Sequence, residues 1–135
     1  MGYTNYLKNN LQDAFWRGAA LVRPTTIYVG LSTTAPNDAG GNITEPSGNG
    51  YARVAVANSS TTWAASAAGS TISIVDVLFP NPIGGWGTVG WFFYSDALTG
   101  GNILEWAALT TARLLDASSV PVRFVAGDLR NILSP

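Results

Sequence analysis

The sequence predicts a mainly β protein, an antiparallel β-sandwich of jelly-roll-like type with one N-terminal α-helix. Its 135 residues are the size of a single domain. Apolar residues recur at helical spacing only in the first segment, whereas the remainder alternates apolar and polar residues between turns rich in Gly, Pro and Asn. We therefore expect one domain over residues 1–135, with a helix at about 4–18, a sandwich at about 25–129 and a C-terminal arm at about 130–135.

The first segment, TNYLKNNLQDAFWRG, has the boundary residues of a helix. Thr4 or Asn5 can cap its start and Gly18 can end it. Its apolar stripe contains Tyr3, Leu7, Leu11, Ala14 and Phe15. Trp16 points nearly opposite Leu7, because successive residues are turned by about 100°. Two interpretations of Trp16 stay open: a second element of the chain covers it, or it contacts a partner.

Short strand-like stretches fill the chain after Arg23. They lie at residues 25–33, 51–57, 70–79, 88–96, 103–111 and 120–129. The alternation within 70–79 shifts by one residue, which indicates a β-bulge. Residues 36–50 are dense in Gly, Pro, Asn and Asp and predict a long loop. Short strands joined by such turns favour an antiparallel sandwich or barrel.

The stretch Trp-Phe-Phe-Tyr at residues 91–94 places four aromatic side chains in one predicted strand. Alternate side chains of a strand point to opposite faces, so both faces here are apolar. A tight hairpin after this strand would place Glu105 opposite Ser95 and Trp106 opposite Tyr94. We expect one face to be covered by the second sheet, and the other by the N-terminal helix or another subunit.

Charged residues make up 11% of the chain, against about 25% in a typical soluble domain. So few charges fit a secreted Thr/Asn-rich β protein or a subunit whose surface is largely covered by copies of itself or by partners. The net charge of −1 and the scattered basic residues argue against nucleic-acid binding. No apolar run reaches the roughly 20 residues of a membrane span, so we expect no membrane contact either.

The chain has few residues suited to catalysis. It contains neither His nor Cys, which excludes the Ser-His-Asp triad, the Cys-His pair and the usual zinc sites. Asp96 and Glu105 are the carboxylates we expect near each other, and a hydrolase that uses this pair is the remaining enzymatic alternative. We expect no enzyme activity and no cofactor. Arg53 and Arg123 lie on predicted strands, where they could form internal or inter-subunit ion pairs.

Two tryptophans lie in polar, loop-like surroundings. Trp63 in TTWAAS and Trp86 in GGWGT could form an exposed platform for a glycan. Alternatively, they plug the two ends of the sandwich. The sequence leaves both interpretations open.

Several stretches share the pattern of one known family. They are NYLKNNLQDAFWRG, YVGLSTTAP (28–36), ITEPSGNGYARVAV (43–56), GWGTVGWFFYSDALTGGNILEWAALTT (85–111) and VRFVAGDL. Together they resemble the short tail-fibre-like virion proteins of tailed bacteriophages. The ending RNILSP departs from the regular final strand of that family, which is why we expect an arm there. The resemblance implies a non-enzymatic structural component of a phage particle, made in the cytoplasm of the bacterial host.

A fibre protein must extend outward from the particle, and this requirement bears on where the chain lies on the virion. The chain has neither the repeats nor the coiled coil that would extend a fibre, so we expect a capsid decoration (cement) protein on the particle exterior. It would be a homotrimer that contacts the major capsid protein or other virion subunits. The alternative is a tail-fibre or tail-tip module that binds a host-surface glycan through Trp63 and Trp86. The candidate partner-contact residues are Trp16, Asn37, Asp38, Asn42, Glu45, Arg130 and Ile132.

Overall fold

A computed structural model describes residues 2–132 and contains one helix, α1 (Asn5–Arg17). The strands are β1 (Gly2–Tyr3), β2 (Thr26–Ser32), β3 (Val54–Ala57), β4 (Ser70–Ile72), β5 (Val77–Leu78), β6 (Gly87–Ser95), β7 (Ile103–Leu115), β8 (Arg123–Phe124) and β9 (Arg130–Ile132). The predicted fold class, mainly β with one N-terminal helix, is confirmed.

The strands form one large antiparallel sheet and two small ones. The main sheet has the order β1-β7-β6-β2-β3, and β4 pairs with β9 while β5 pairs with β8. The jelly-roll-like sandwich of the prediction is not confirmed, because the strands that accompany the main sheet form two separate two-stranded sheets. The core therefore lies between the main sheet and a second layer that consists of the two small sheets and loops.

The helix has the predicted boundaries. The Thr4 side chain accepts a hydrogen bond from the Leu7 N–H, and Gly18 ends the helix with a left-handed φ of 70°. The helix contacts β1 and β7 at the edge of the main sheet, and Leu7 reaches the core. No helix within residues 2–132 has both the length and the hydropathy needed to cross a membrane.

The predicted strand at 70–79 is wrong in one respect. In place of a bulge, the chain leaves β4, passes Ser73 and enters β5 in a different sheet. Ser73 is 1% exposed, and its Oγ accepts hydrogen bonds from the backbone N–H groups of Gly127 and Leu129. This buried hydroxyl ties the break between the two strands to the C-terminal segment.

The C-terminal segment also differs from the prediction. We expected an arm over 130–135, but residues Arg130–Ile132 form β9 and pair with β4. Residues 133–135 of the expected arm lie outside the described part of the chain. Residues 120–129 contain only the short strand Arg123–Phe124.

One face of the main sheet, which we call the inner face, carries Val29, Leu31 and Tyr94. These side chains belong to one buried cluster with residues of the small sheets and nearby loops. The other members are Ile27, Val77, Phe79, Trp86, Val89, Leu104, Leu115, Val122, Phe124 and Leu129. The apolar alternation of β2 and β6 is therefore satisfied on this face by burial.

The opposite or outer face carries Gly30 and Phe93, which pair across β2 and β6, and Trp106, which pairs with Phe93. The hairpin register that we predicted is wrong by two residues at Ser95, which pairs with Ile103 instead of Glu105. A register shift between Ser95 and Tyr94 reduces the difference to one residue, so Glu105 instead of Trp106 lies opposite Tyr94. Glu105 consequently lies on the inner face.

The loop between β2 and β3 covers the outer face, where we had expected the helix or another subunit. The indole N–H of Trp106 donates to Asp38, and the guanidinium of Arg53 lies 5.1 Å from the centre of the Phe93 ring. Glu45 of the same loop pairs with Arg53. Phe93 and Tyr94, on opposite faces of the aromatic strand, are therefore buried within one chain, whereas Trp91 and Phe92 are half-buried.

Gly30 is required because the Phe93 ring occupies the space where a side chain would be. A Cβ at position 30 would overlap that ring. We expect Gly30→Ala to lower the free energy of unfolding by about 1–3 kcal/mol through overpacking, measured by urea denaturation. Gly90→Ala is the matched control in the same sheet, because the nearest atom to its new Cβ is the Cβ of Ala112 at 3.8 Å. Equal stability of the two variants would contradict the position of the Phe93 ring.

Candidate functional site

The candidate sites lie on the two faces of the main sheet. An ion pair closes the outer face, and a cavity lies beneath α1 on the inner face. An exposed aromatic surface on α1 is a third feature.

Arg53 is the centre of the outer-face ion pair. Its Nε and Nη2 donate to the two carboxylate oxygens of Glu45 at 2.9 and 2.7 Å. Its Nη1 donates to the backbone carbonyls of Ala97 and Gly100 in the β6–β7 turn at 2.7 and 2.9 Å. Only 4% of the Arg53 side chain is exposed, and the hydrogen bond to Glu45 is the main reason that the pKa of Arg53 is raised. The site holds one loop and one turn against the Phe93 ring.

Tyr51 extends this network into the core. Its hydroxyl donates to Glu45 at 2.7 Å and accepts the N–H of Leu31 at 3.0 Å. Burial is the main reason that the pKa of Tyr51 lies far above its ordinary value. The Tyr51 ring stands edge-on to Trp86, with ring centres 5.2 Å apart.

Arg53 and Arg123 both form ion pairs inside the chain, one of the two alternatives that the sequence left open. Arg123 donates to Asp76, and this hydrogen bond is the main reason that the pKa of Asp76 is lowered. The Arg123 pair is exposed, whereas the Arg53 pair is mostly buried.

The loop residues proposed as partner contacts make contacts within their own chain. Asn37 accepts the N–H of Gly41, and the Asn42 amide donates to the carbonyl of Ala35. Asp38 forms an ion pair with Lys8 at 3.7 Å and accepts the Trp106 indole N–H at 3.2 Å. Glu45 pairs with Arg53. Their role toward a partner stays a prediction, and so does that of Arg130 and Ile132, which are exposed on β9.

Trp16 is not covered by a second element of the described chain. It is 73% exposed, and the neighbouring Phe15 is 77% exposed. Their rings pack edge to face with centres 4.7 Å apart. Phe15 and Trp16 therefore form an exposed aromatic surface on the helix. We call Phe15 and Trp16 the helix patch.

The two tryptophans considered for glycan binding differ in their surroundings. Trp86 is only 3% exposed, and its indole N–H donates to the carbonyl of Asn49 at 2.9 Å. It therefore belongs to the core and cannot form an exposed platform. Trp63 is half-buried against the edge of the Tyr94 ring, with ring centres 5.9 Å apart, and it lines the cavity beneath α1.

This cavity has a volume of about 400 Å³ and lies between α1, the segment that follows it and the inner face of the main sheet. Glu105 and Tyr94, which pair across β6 and β7, line it together. Both are buried, with 7% and 4% of their surface exposed. Within residues 2–132, no hydrogen bond reaches the Glu105 carboxyl, and the Tyr94 hydroxyl is buried without a partner. Burial raises the pKa of Glu105 to about 8.

Asp96 also lines the cavity, so the structure places both carboxylates of the predicted pair along one wall. The two have different surroundings. Asp96 accepts hydrogen bonds from the backbone N–H and side-chain amide of Asn102 at 2.7 and 2.9 Å, so its carboxylate already has partners within the hairpin turn. Among residues 2–132, no group of three or more acidic residues is arranged to hold a metal ion.

Comparison with known proteins adds one observation. Residues 2–131 match the family model of the podophage GP4 fiber I protein gp80. The chain belongs to this family. It is thus a fibre-like structural phage protein associated with the virion, as the sequence resemblance indicated at a coarser level. No curated protein matches the chain.

The sequence did not reveal the burial of Glu105 or the unpaired Tyr94 hydroxyl. The face of Glu105 follows from the register shift near the hairpin, and the Gly-Gly pair of that turn gives no local signal of the direction of this shift. The face of Tyr94 follows from its pairing with Val29 on β2. The role of Arg53 was partly visible, because a lone arginine within a short apolar strand needs a partner.

The Arg53 site predicts a large effect of its loss on stability. Arg53→Ala leaves Glu45 and two carbonyls without their partner, so we expect the free energy of unfolding to fall by about 3–5 kcal/mol, measured by chemical denaturation. Arg53→Lys should restore little of this, because lysine cannot donate two parallel hydrogen bonds to one carboxylate. The control is Lys8→Ala, which removes the exposed ion pair with Asp38 and should cost less than about 1 kcal/mol. A small effect of Arg53→Ala would show that the outer face is held by other contacts.

Glu105 predicts a dependence of stability on pH. Its folded-state pKa of about 8 lies above the ordinary value of 4.5, so its favourable contribution is present below that value and is lost as the pH rises to 8. We expect the free energy of unfolding to fall by about 1.4 kcal/mol per pH unit across this window from this group. Urea denaturation at several pH values would measure it. Glu105→Gln should remove this slope, and an unchanged slope in that variant would assign it to other groups.

Proposed function

We propose that this protein is a non-enzymatic structural subunit of a podophage fibre, on the exterior of the particle, and that it assembles as a homotrimer. The observation that carries the proposal is the family match, which spans residues 2–131 and describes a fibre protein. This description favours our alternative, a fibre or tail-tip module, over decoration of the capsid. The subunit would be made in the cytoplasm of the bacterial host.

The internal contacts of the chain support a structural role. The outer face is closed by Arg53 and its loop, and the inner face is closed by the small sheets and α1. The compact unit has no shaft of its own, since its sequence lacks internal repeats and heptads. A fibre that extends away from the particle would therefore have to be built by assembly with other subunits.

The helix patch would form the interface between subunits in this assembly. Phe15 and Trp16 are large, rigid aromatics, which are enriched among the residues that dominate interface energies. They are also the two most exposed aromatics among residues 2–132. The occupant that we propose for this surface is a second copy of the chain, consistent with the scarcity of charge in the sequence.

Glycan binding is a separate part of the alternative. Burial of Trp86 removes the paired platform, so a host-surface glycan stays a prediction for Trp63 alone. Major capsid protein or other virion subunits also stay predicted partners of the chain.

Copy number and position on the virion test the fibre proposal. Quantitative mass spectrometry of purified virions should give a small number of copies relative to the major capsid protein. Antibody labelling in electron micrographs should mark the tail region. A copy number comparable with that of the major capsid protein, with label spread over the head, would support capsid decoration and contradict a fibre.

The helix patch predicts the oligomeric state of the purified protein. We expect Phe15→Ser with Trp16→Ser to convert a trimer into monomers in sedimentation velocity, with an unchanged thermal unfolding of the subunit. Leu114→Ser with Val120→Ser is the control, because both residues are 70% exposed but lie outside the helix patch. A trimer that persists in the first variant would exclude the patch as the interface.

A further inference from the structure

The cavity beneath α1 is a second site, which neither the family description nor the fibre proposal uses. Its volume of about 400 Å³ is enough for a small organic molecule. Its walls are aliphatic on the side of α1 and the following segment, where Leu7, Leu11 and Leu21 line it. Aromatic rings of Tyr3, Tyr6, Trp63 and Tyr94 complete the lining.

Three polar groups of the residues that line this cavity lack hydrogen-bond partners within residues 2–132. The Tyr94 hydroxyl and the amide oxygen of Asn131 are buried without partners within residues 2–132. No hydrogen bond from this part of the chain reaches the carboxyl of Glu105. Buried polar groups in proteins are nearly always paired, so the Glu105 carboxyl, which lines the cavity without a hydrogen bond from the described chain, is suited to a donor from outside the chain.

We propose that this cavity binds an organic cation, an ammonium or guanidinium group carried on a short aliphatic chain. The cationic group would lie against the Glu105 carboxyl, which lines the cavity. Its aliphatic chain would lie along the leucines of α1 and the following segment. The inference does not depend on where the protein lies on the virion.

The charges and rings of the wall favour a cation over a neutral ligand. Glu105 contributes a carboxyl group to the lining, whereas the carboxylate of Asp96 is bound by Asn102 and Arg23 is exposed to solvent. Within residues 2–132, Arg23 forms no ion pair with either carboxyl. The faces of aromatic rings also attract cations. A neutral sugar would gain hydrogen bonds here but would form no ion pair with the carboxylate form of Glu105.

The titration of Glu105 links binding to pH. The other titratable or charged groups that line the cavity are Tyr3, Tyr6, Arg23, Tyr94 and Asp96. The pKa values of Tyr3 and Tyr94 are raised, mainly by burial and to a smaller extent by the nearby charge of Glu105. These phenols therefore stay neutral between pH 6 and 9. Because a cation favours the carboxylate form of Glu105, whose pKa is about 8, its binding should strengthen across this range.

Isothermal titration calorimetry with n-butylguanidinium tests the site on the full chain. This probe is charged at every pH used, and n-butylurea is its neutral isostere. We expect saturable binding of n-butylguanidinium at pH 9, roughly 50- to 100-fold weaker binding at pH 6 as Glu105 becomes protonated, and no binding of n-butylurea. N-acetylarginine methylamide distinguishes the source of the cation. Its binding would indicate an arginine of another polypeptide, and its exclusion a free small cation, and either result supports the cation site.

Two variants give the matched comparison. Glu105→Gln removes the carboxyl with little change of shape and should weaken n-butylguanidinium binding at pH 9 at least tenfold. Asp13→Asn removes one exposed carboxyl that does not line the cavity and should leave the affinity unchanged. Circular dichroism checks that both variants are folded. The pH dependence of binding to the unaltered protein tests the role of the Glu105 carboxylate without a substitution.

Three outcomes would overturn the proposal. The first is equal binding of n-butylguanidinium and n-butylurea, and the second is an affinity that does not change between pH 6 and 9. The third is the absence of saturable n-butylguanidinium binding at pH 9, including the case in which glucose binds instead. Each of these is distinguishable from failure of the fibre proposal, which is decided on whole virions.

Discussion

The guanidinium of Arg53 is the contact on which the outer half of this structure depends. It binds Glu45 through two hydrogen bonds, holds the β6–β7 turn through the carbonyls of Ala97 and Gly100, and covers the Phe93 ring. A charge this deeply buried is stable only when each donor has a partner and the geometry is favourable. The long β2–β3 loop supplies the carboxylate, so a segment with no regular structure becomes the cover of a sheet face.

This arrangement explains why a strand can be aromatic on both sides in so small a domain. The inner face is buried by the small sheets, and the outer face by a loop attached at Arg53 and at the Asp38–Trp106 hydrogen bond. The helix α1 covers the part of the inner face that contains Tyr94 and Glu105. It lies at the edge of the main sheet, where its outward side leaves the helix patch exposed and its inward side forms the roof of a cavity.

The cavity has a cost in stability that the rest of the core does not share. Glu105 is buried without a hydrogen bond from residues 2–132, and burial alone raises its pKa to about 8. An aliphatic residue at this position would avoid the desolvation of a carboxyl, so the carboxyl is a local departure from the rules that govern the surrounding core. Such departures are typical of sites that interact with something outside the fold.

The sequence by itself determined the elements whose signals are local. The helix between Thr4 and Gly18 follows from its caps and apolar spacing, and the mainly β character follows from alternation and turns. A resemblance to fibre-like virion proteins of phages was also readable from the motifs, at a coarser level than the family match. The face on which Glu105 lies was decided only by the tertiary structure, because a shift of one residue exchanges the faces of a strand. That shift is set by pairing between β6 and β7 over their whole length, and no short stretch of sequence encodes it.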